Sequence, residues 1–157
     1  MEALAGLSEW PVAEALRRNG TLYLLVNAAH ILALGTLIGS ILVLDLRLLG
    51  LFRSAPLSLL APPLMKVAAC GLGGALITGF LLFSVRPVSY VENPAFLAKL
   101  VLIGLGIANV TLVHFGRHWR LSIDGAAEPA APLKIFAAAS IAIWTGAVIA
   151  GRWIGFL

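Results

Sequence analysis

Three histidines are the side chains best suited to chemistry in a chain that has few ionisable groups. His30 lies inside an uncharged run from Thr21 to Leu44, and Asn27 precedes it by about one helical turn. His114 and His118 lie close together in a later segment. A neutral imidazole in a dry helix bundle is a good axial ligand for haem iron, and it can also bind copper or transfer protons. The alternative role of His30 is structural, as a hydrogen-bonding partner of a carbonyl group or of Asn27 across helices.

Lys99 is the second candidate, because a cation inside an apolar segment is rare unless it has a partner or a function. His30 lies about nine residues into its predicted helix, and Lys99 lies about five residues into another helix that runs in the same direction. At 1.5 Å per residue their depths differ by about 6 Å, which a lysine side chain can cover. Asn27 or Lys99 could hydrogen-bond a propionate or a substrate carboxylate. The alternative for Lys99 is snorkelling to the membrane surface.

A second polar layer is expected near the opposite membrane face. His114 lies about twenty residues into its helix, too far along to share a metal ion with His30 within one chain. The residues predicted to gather near this face are Asp45, Arg47, Lys66, His114 and Arg117. Headgroup contact is the alternative role of His114 and His118, and Asp45 with Arg47 can anchor the end of a helix.

The composition places these residues in a lipid bilayer. Of the 157 residues, 61% are hydrophobic and 11% are charged, whereas a soluble domain carries about 25% charged residues. A net charge of +4 would suggest nucleic-acid binding in a soluble protein. Here the basic residues flank apolar runs, where they orient the chain and meet lipid headgroups, so we predict no nucleic-acid binding. A lone cysteine, Cys70, excludes an internal disulfide bond.

Four apolar runs are long enough to span a bilayer, which needs about 20 residues. The predicted helices cover residues 21–49, 58–85, 94–119 and 133–156, and residues 1–19 form an interfacial segment. We therefore predict an all-α fold, an integral membrane four-helix up-down bundle with a short N-terminal interfacial helix, as a single transmembrane domain over residues 1–157. We expect it in the bacterial inner (cytoplasmic) membrane, with both termini on one side. Five basic residues on the far side against four on the N-terminal side favour both termini outside.

Small residues predict where the helices pack. Gly35 and Gly39 form a GxxxG motif in the first span, and the second span is rich in small residues from Gly71 to Gly79. In the last span a small residue recurs at every fourth position, at Ala138, Ala142, Gly146 and Ala150. These faces leave packing surface for a homodimer or a membrane partner subunit. Trp144 and Trp153 are expected to face lipid or to lie at the interface.

Two segments resemble a known enzyme family. The first, Tyr23 to Arg47, resembles the first helix of the small bacterial membrane protoporphyrinogen oxidases of the HemJ type, which carries an early histidine, then a glycine, then an arginine. The segment FLAKLVLIGLGIANVTLVHFGRHWR resembles their third helix, with its early lysine and its basic, histidine-containing end. The resemblance implies that His30 is the haem-linked histidine and Lys99 an essential lysine, with His114 and Arg117 matching the end motif.

Other membrane families share parts of the same pattern. The copper-resistance D-type domains have a similar histidine-containing helix, and DLRLLG at 45–50 resembles small four-helix membrane families with no assigned function. The prediction is a membrane protein that binds haem b or another tetrapyrrole and acts in redox chemistry, either on a porphyrinogen or by passing electrons to a quinone or a partner. His30 is the predicted metal ligand. The other predicted cofactor contacts are Asn27, Lys99, His114 and Arg117.

Two alternatives stay open. A non-catalytic membrane subunit that packs against a partner needs only the small-residue faces. Copper handling would need soft ligands for Cu(I), and the chain offers only Met1, Met65 and Cys70, which are not clustered in the sequence. Motifs of other enzyme classes, such as Gly-x-Ser-x-Gly, a phosphate loop or HExxH, do not occur.

Overall fold

The computed structural model describes residues 6–124 and 128–156, and four long helices dominate it. In order, the helices are α1 (Pro11–Arg18), α2 (Gly20–Leu49), α3 (Leu57–Val85), α4 (Pro87–Val91), α5 (Pro94–Phe115), α6 (Arg117–Ile123) and α7 (Ala131–Trp153), followed by a 3-10 turn (Ile154–Phe156). Helices α2, α3, α5 and α7 are long and apolar enough to cross a membrane. The predicted all-α membrane bundle is therefore confirmed for the described residues.

Helices α2 and α3 form a close antiparallel pair. Gly71 lies against the α2 backbone, where an added Cβ would be 2.6 Å from the nitrogen of Leu37 and 3.0 Å from the oxygen of Ala33. Towards the other end of the pair, Gly74 faces Ala33 and Gly79 faces His30. The small residues of α3 therefore do what the sequence predicts, because only a glycine lets two helix backbones approach this closely.

Helices α5 and α7 form the second close pair, and α7 also packs on α2. Gly106 on α5 lies under the ring of Trp144, and Gly146 on α7 faces Leu102. The four spans thus join in the order α3, α2, α7, α5. The end of the bundle where α2 begins and α3 ends is called the near end, and the opposite end is called the far end.

Two packing predictions are wrong, for Trp144 and for half of the small-residue stripe of α7, while the Gly35–Gly39 face stays open. An added Cβ at Gly35 or Gly39 would meet nothing within 4 Å, so the GxxxG face makes no close contact within the described chain. Ala138 and Ala142 are exposed. Trp144, expected at the lipid surface, is only 5% exposed, because Gly106 leaves room for its ring between α5 and α7.

The helix ends follow local capping chemistry. The Asn93 side chain accepts hydrogen bonds from the backbone of Ala95 and Phe96, as the Asn-Pro pair predicts. Gly50 follows the predicted end of α2 at residue 49 and takes the left-handed conformation with φ +108°. The cap of α2 is Asn19, whose side chain accepts hydrogen bonds from the backbone of Thr21 and Leu22. The third predicted helix, 94–119, is wrong at its end, because an extended Gly116 separates α5 from α6.

The buried core lies at the far end. Its fully buried members are Leu48, Leu57, Ala61, Val113, Trp119, Leu133 and Ala137. Arg47 is buried beside this core, and its Nε donates a 2.8 Å hydrogen bond to the carbonyl of Ala55 in the loop after α2. This contact ties the loop to the helix. Asp45 points elsewhere, and no ion pair joins Asp45 to Arg47 in the described chain.

We expect Gly71→Ala to destabilise the bundle, while Gly73→Ala on the same helix has little effect. The new methyl group at position 71 would overlap the α2 backbone, whereas at position 73 it meets nothing within 4 Å. Overpacking of this kind costs about 1–3 kcal/mol. Thermal unfolding in detergent measures the difference, and equal melting temperatures for the two variants would contradict the close α2–α3 contact.

Candidate functional site

An amphipathic cavity of about 400 Å³ occupies the far half of the bundle, between α2, α3, α5 and α7. Most of its wall is apolar. The polar side chains that line it are Ser40, Asp45, Asn109, Thr111, His114 and Ser140. We call it the Asp45–His114 cavity. Its size and its few polar groups in an apolar wall are typical of a site for a small organic molecule.

Asp45 is the most unusual residue of this cavity. Its side chain is 7% exposed and interacts with the hydroxyl of Ser140 across the α2–α7 contact. The other carboxyl oxygen, Oδ2, is buried and has no hydrogen-bond partner among the described residues. An unsatisfied buried polar atom costs about 1–3 kcal/mol, and more when it is charged. Such an atom in a cavity wall indicates a position where a ligand or a water molecule completes the site.

His114 supplies a second polar atom of defined character. Its Nδ1 lies 2.7 Å from the carbonyl oxygen of Val110, one turn back on α5. A carbonyl oxygen can only accept a hydrogen bond, so Nδ1 carries the proton. In the neutral ring Nε2 then carries the lone pair, and the thioether sulfur of Met65 lies against it at 3.4 Å. Trp119 holds the ring at its other face, with the two ring centres 4.9 Å apart.

The structure brings Met65 to His114, a contact that the sequence did not predict. The sulfur of Met65 lies 3.4 Å from His114 Nε2, joining α3 to α5 at the cavity wall. In the described chain no three His, Cys, Asp or Glu residues are grouped as a metal site would require. The pair is therefore part of the cavity wall and does not by itself make a metal centre.

The neutral polar side chains of the cavity are largely occupied by the backbone. Thr111 donates to the carbonyl of Ile107 at 2.7 Å, Ser40 to Thr36 at 2.9 Å, and Asn109 to Phe136 at 3.3 Å. This is the usual way in which such groups are satisfied in a membrane, where water is absent. The unpartnered oxygen of Asp45 therefore dominates the hydrogen-bonding character of the cavity.

His30 occupies a separate site about a third of the way along α2. Its Nδ1 lies 2.9 Å from the hydroxyl oxygen of Thr78 on α3. That hydroxyl donates its own proton to the carbonyl of Gly74 at 2.6 Å, so the imidazole must donate to Thr78. The Nδ1 atom is thus protonated, and Nε2 keeps a lone pair. Second-shell hydrogen bonds of this kind orient metal-binding histidines.

Lys99 approaches this layer from α5. Its charge is close enough to act electrostatically on the His30 ring. Its aliphatic chain packs over Gly151 of α7, where an added Cβ would lie 3.4–3.5 Å from its last three atoms. These are ordinary van der Waals distances, so Lys99 lies along α7 at this glycine.

The two histidine layers are well separated. His30 contacts α3 at Thr78, and His114 contacts the same helix at Met65. Thirteen residues of helix correspond to about 20 Å. One ligand atom cannot bind both rings, in agreement with the depth argument from the sequence. His30 does not line the Asp45–His114 cavity.

The comparisons with known proteins give one family. The model of a family of unknown function, DUF6644, matches residues 15–157. The chain belongs to this family. No curated protein and no solved structure matches the chain. Membership in DUF6644 carries no activity with it, so the function of this DUF6644 member must be argued from its own residues.

The residues predicted as cofactor contacts do not form one site in this DUF6644 chain. His30 and Lys99 lie near each other, and His114 lines the far cavity. Asn27 is exposed on α2 and makes no hydrogen bond within the described chain, and Arg117 is exposed at the start of α6. No sequence signal points to Thr78 or Ser140 as partners, because the neighbours of a hydroxyl on other helices are unknown until the packing is known.

We expect Thr78→Val to lower the free energy of unfolding by about 1–3 kcal/mol, because it leaves the His30 N–H without its side-chain acceptor. Thr78→Ser keeps the hydroxyl and should retain most of the stability. Unfolding in detergent measures both variants. Combining each with His30→Leu should abolish the difference between valine and serine, and a difference that persists would show that the contact with His30 is not its cause.

Proposed function

We propose that this protein binds a membrane-soluble quinol, an apolar ring that carries hydroxyl groups, in the Asp45–His114 cavity. The observation that carries the proposal is the buried Oδ2 of Asp45, which lacks a partner in the described chain at the wall of a ligand-sized cavity. A ligand hydroxyl would supply the missing hydrogen-bond donor. The ring and its apolar chain would replace lipid against the remaining wall.

The aromatic and hydrogen-bonding groups of the cavity support a hydroxylated ring. Trp119 and Trp144 form part of the wall and offer flat apolar surfaces. Asp45 presents an unpartnered acceptor for a hydroxyl proton, whereas the sulfur of Met65 covers the lone pair of His114 Nε2. With Asp45 ionised, the oxidised form of the same compound, a quinone, has carbonyl groups in place of hydroxyls and would leave Oδ2 unsatisfied. The cavity therefore favours the reduced form.

The cavity communicates with the lipid-facing surface. Phe115 and Ile107 on α5 line it and are also exposed, by 78% and 39%. On α3 the lining residue Ala69 is likewise exposed. A molecule dissolved in the bilayer can thus enter from the side without crossing the aqueous phase. This route suits a ligand with a long apolar chain.

We expect Ala68→Phe to weaken binding of a short-chain alkyl quinol by about tenfold or more, the equivalent of 1.4 kcal/mol. Ala68 lines the cavity, and a benzyl group there fills the space for the ring. Val67→Phe, at the exposed neighbouring position, is the matched control and should bind normally. Quenching of tryptophan fluorescence under reducing conditions reports the affinity.

The same titration with the oxidised quinone tests the role of Asp45. The wild-type protein should bind the quinol at least about tenfold more tightly than the quinone, and Asp45→Leu should abolish that preference. Equal affinity of the wild type for both forms would contradict the proposed hydrogen bond. Normal quinol binding by Ala68→Phe would show that the ring binds elsewhere.

Haem b at His30 is a second candidate, favoured by the hydrogen bond from Nδ1 to Thr78 that leaves Nε2 as a donor for iron. The donor chemistry fits a haem ligand. The Asp45–His114 cavity does not reach His30, and Gly79 lies against the ring. When bound, haem supplies one-electron redox chemistry. His30 would hold the iron and Lys99 would pair with a carboxylate of the cofactor. Oxidation of a porphyrinogen, implied by the resemblance, depends on this candidate.

Absorption spectroscopy tests the haem candidate. Protein expressed with a haem supply should show a Soret band, and His30→Ala should lose it. His118→Ala changes an exposed histidine and is the control that should keep the band. A wild type without a Soret band, or a band unchanged in His30→Ala, would rule out haem at this residue.

The four spans show a membrane protein, and we propose in addition which membrane it occupies and how it is oriented. We place the chain in the bacterial inner membrane, with both termini outside. The support is the excess of one basic residue on the far side. The cavity requires neither of the alternatives, copper handling or a non-catalytic subunit. The open face at Gly35 and Gly39 leaves room for a partner helix.

A further inference from the structure

A second, larger cavity lies at the near end, where α1, the start of α2, the end of α3, α4 and the C-terminal turn meet. It has a volume of about 850 Å³. Its polar lining consists of Arg17, Tyr23, Arg86, Ser89, Tyr90 and Asn93. We call it the near-end basin. It shares no residue with the Asp45–His114 cavity.

The charge of the basin is positive. Arg17 and Arg86 are exposed, and the described residues of its lining include no aspartate or glutamate. In the described chain the one ion pair joins Arg18 to Glu14, so neither basin arginine has a carboxylate partner there. Two guanidinium groups facing one space favour an anion, and the planar fork of arginine matches a phosphate group.

Neutral donors complete the lining. Burial raises the pKa of Tyr90, with a further contribution from the neighbouring Tyr23, while Arg86 acts in the opposite direction. Tyr90 therefore keeps its hydroxyl proton at neutral pH. A hydrogen bond joins it to Tyr23, so one of the two hydroxyl protons is left for a ligand. The Tyr90 ring packs against the stacked rings of Phe83 and Phe96, with ring centres 6.1 and 5.2 Å away. The phenol is thus held in place at the wall of the basin.

The position of the basin in the bundle indicates which kind of anion can reach it. Tyr23 lies in the first turn of α2 and Val85 ends α3, so the basin lies where two membrane spans begin and end. This is the level of lipid headgroups. The apolar part of its lining, which includes Leu16, Leu82 and Ile154, offers a surface for the first part of an acyl chain.

We propose that the near-end basin binds the phosphate-bearing headgroup of an anionic phospholipid, with Arg17 and Arg86 on the phosphate and the neutral donors on its remaining oxygens. A free phosphate ion has the same chemistry but lacks the acyl chain that the apolar lining would contact. The lipid is therefore the occupant that fits both parts of the basin.

Native mass spectrometry of the full chain in detergent, titrated with phosphatidylglycerol and with phosphatidylcholine, tests the proposal. The anionic lipid should bind more tightly. Arg17→Gln and Arg86→Gln should each weaken its binding by about fivefold, the effect expected for one basic residue near a charged lipid surface. Arg86→Lys should lose less than Arg86→Gln. Arg18→Gln, whose partner is Glu14, is the control on the same helix as Arg17 and should bind normally.

Two results would overturn the proposal. Equal affinity for the two lipids, or unchanged binding in both glutamine variants with normal melting temperatures, would show that the basin does not recognise the headgroup charge. Displacement of phosphatidylglycerol by inorganic phosphate at a similar concentration would assign the basin to the free ion. Since the quinol site lies at the other end of the bundle, its own titration is independent of these outcomes.

Discussion

The backbone contact at Gly71 sets the arrangement of the whole bundle. It fixes the register of α3 on α2, so that Thr78 lies opposite His30. Because α2 pairs with α3 while α5 pairs with α7, the main link between the pairs among the described residues is that of α2 with α7. The walls of α3 and α5 therefore face each other across a space rather than a packed interface. The Asp45–His114 cavity is this space, closed at the far end by the core around Trp119.

Some polar side chains inside the bundle have hydrogen-bond partners and others do not. The side chains without partners indicate where a ligand site lies. Serine and threonine hydroxyls in the spans return their protons to carbonyl groups of the same helix, as Ser40, Thr78 and Thr111 do. These groups stabilise the fold and need no ligand. Arg47 satisfies one nitrogen at Ala55 and leaves Nη1 buried beside the core, outside the cavity lining. Asp45 alone combines an unpartnered buried oxygen with a position at a cavity in the described chain.

The sequence predicted the spans and most helix ends because these depend on local chemistry. Long apolar runs, the Asn93 cap and the left-handed Gly50 require no knowledge of neighbours. The faces of the helices could not be predicted in the same way. Where both the protein interior and the lipid are apolar, hydropathy does not say which side of a helix is buried. Trp144 was therefore assigned wrongly, and the Met65–His114 contact was missed.

The Asp45–His114 cavity and the His30 site differ in how much free energy a bound ligand can gain. His30 already donates its proton to Thr78, and a bare nitrogen lone pair against apolar surroundings is less costly than a carboxyl oxygen that has lost its water. A ligand at His30 must therefore gain its affinity from new bonds, such as one to a metal. A hydroxyl at Asp45 removes an existing penalty, so part of the affinity is already present in the folded chain. This asymmetry makes the far cavity the stronger site for an organic ligand.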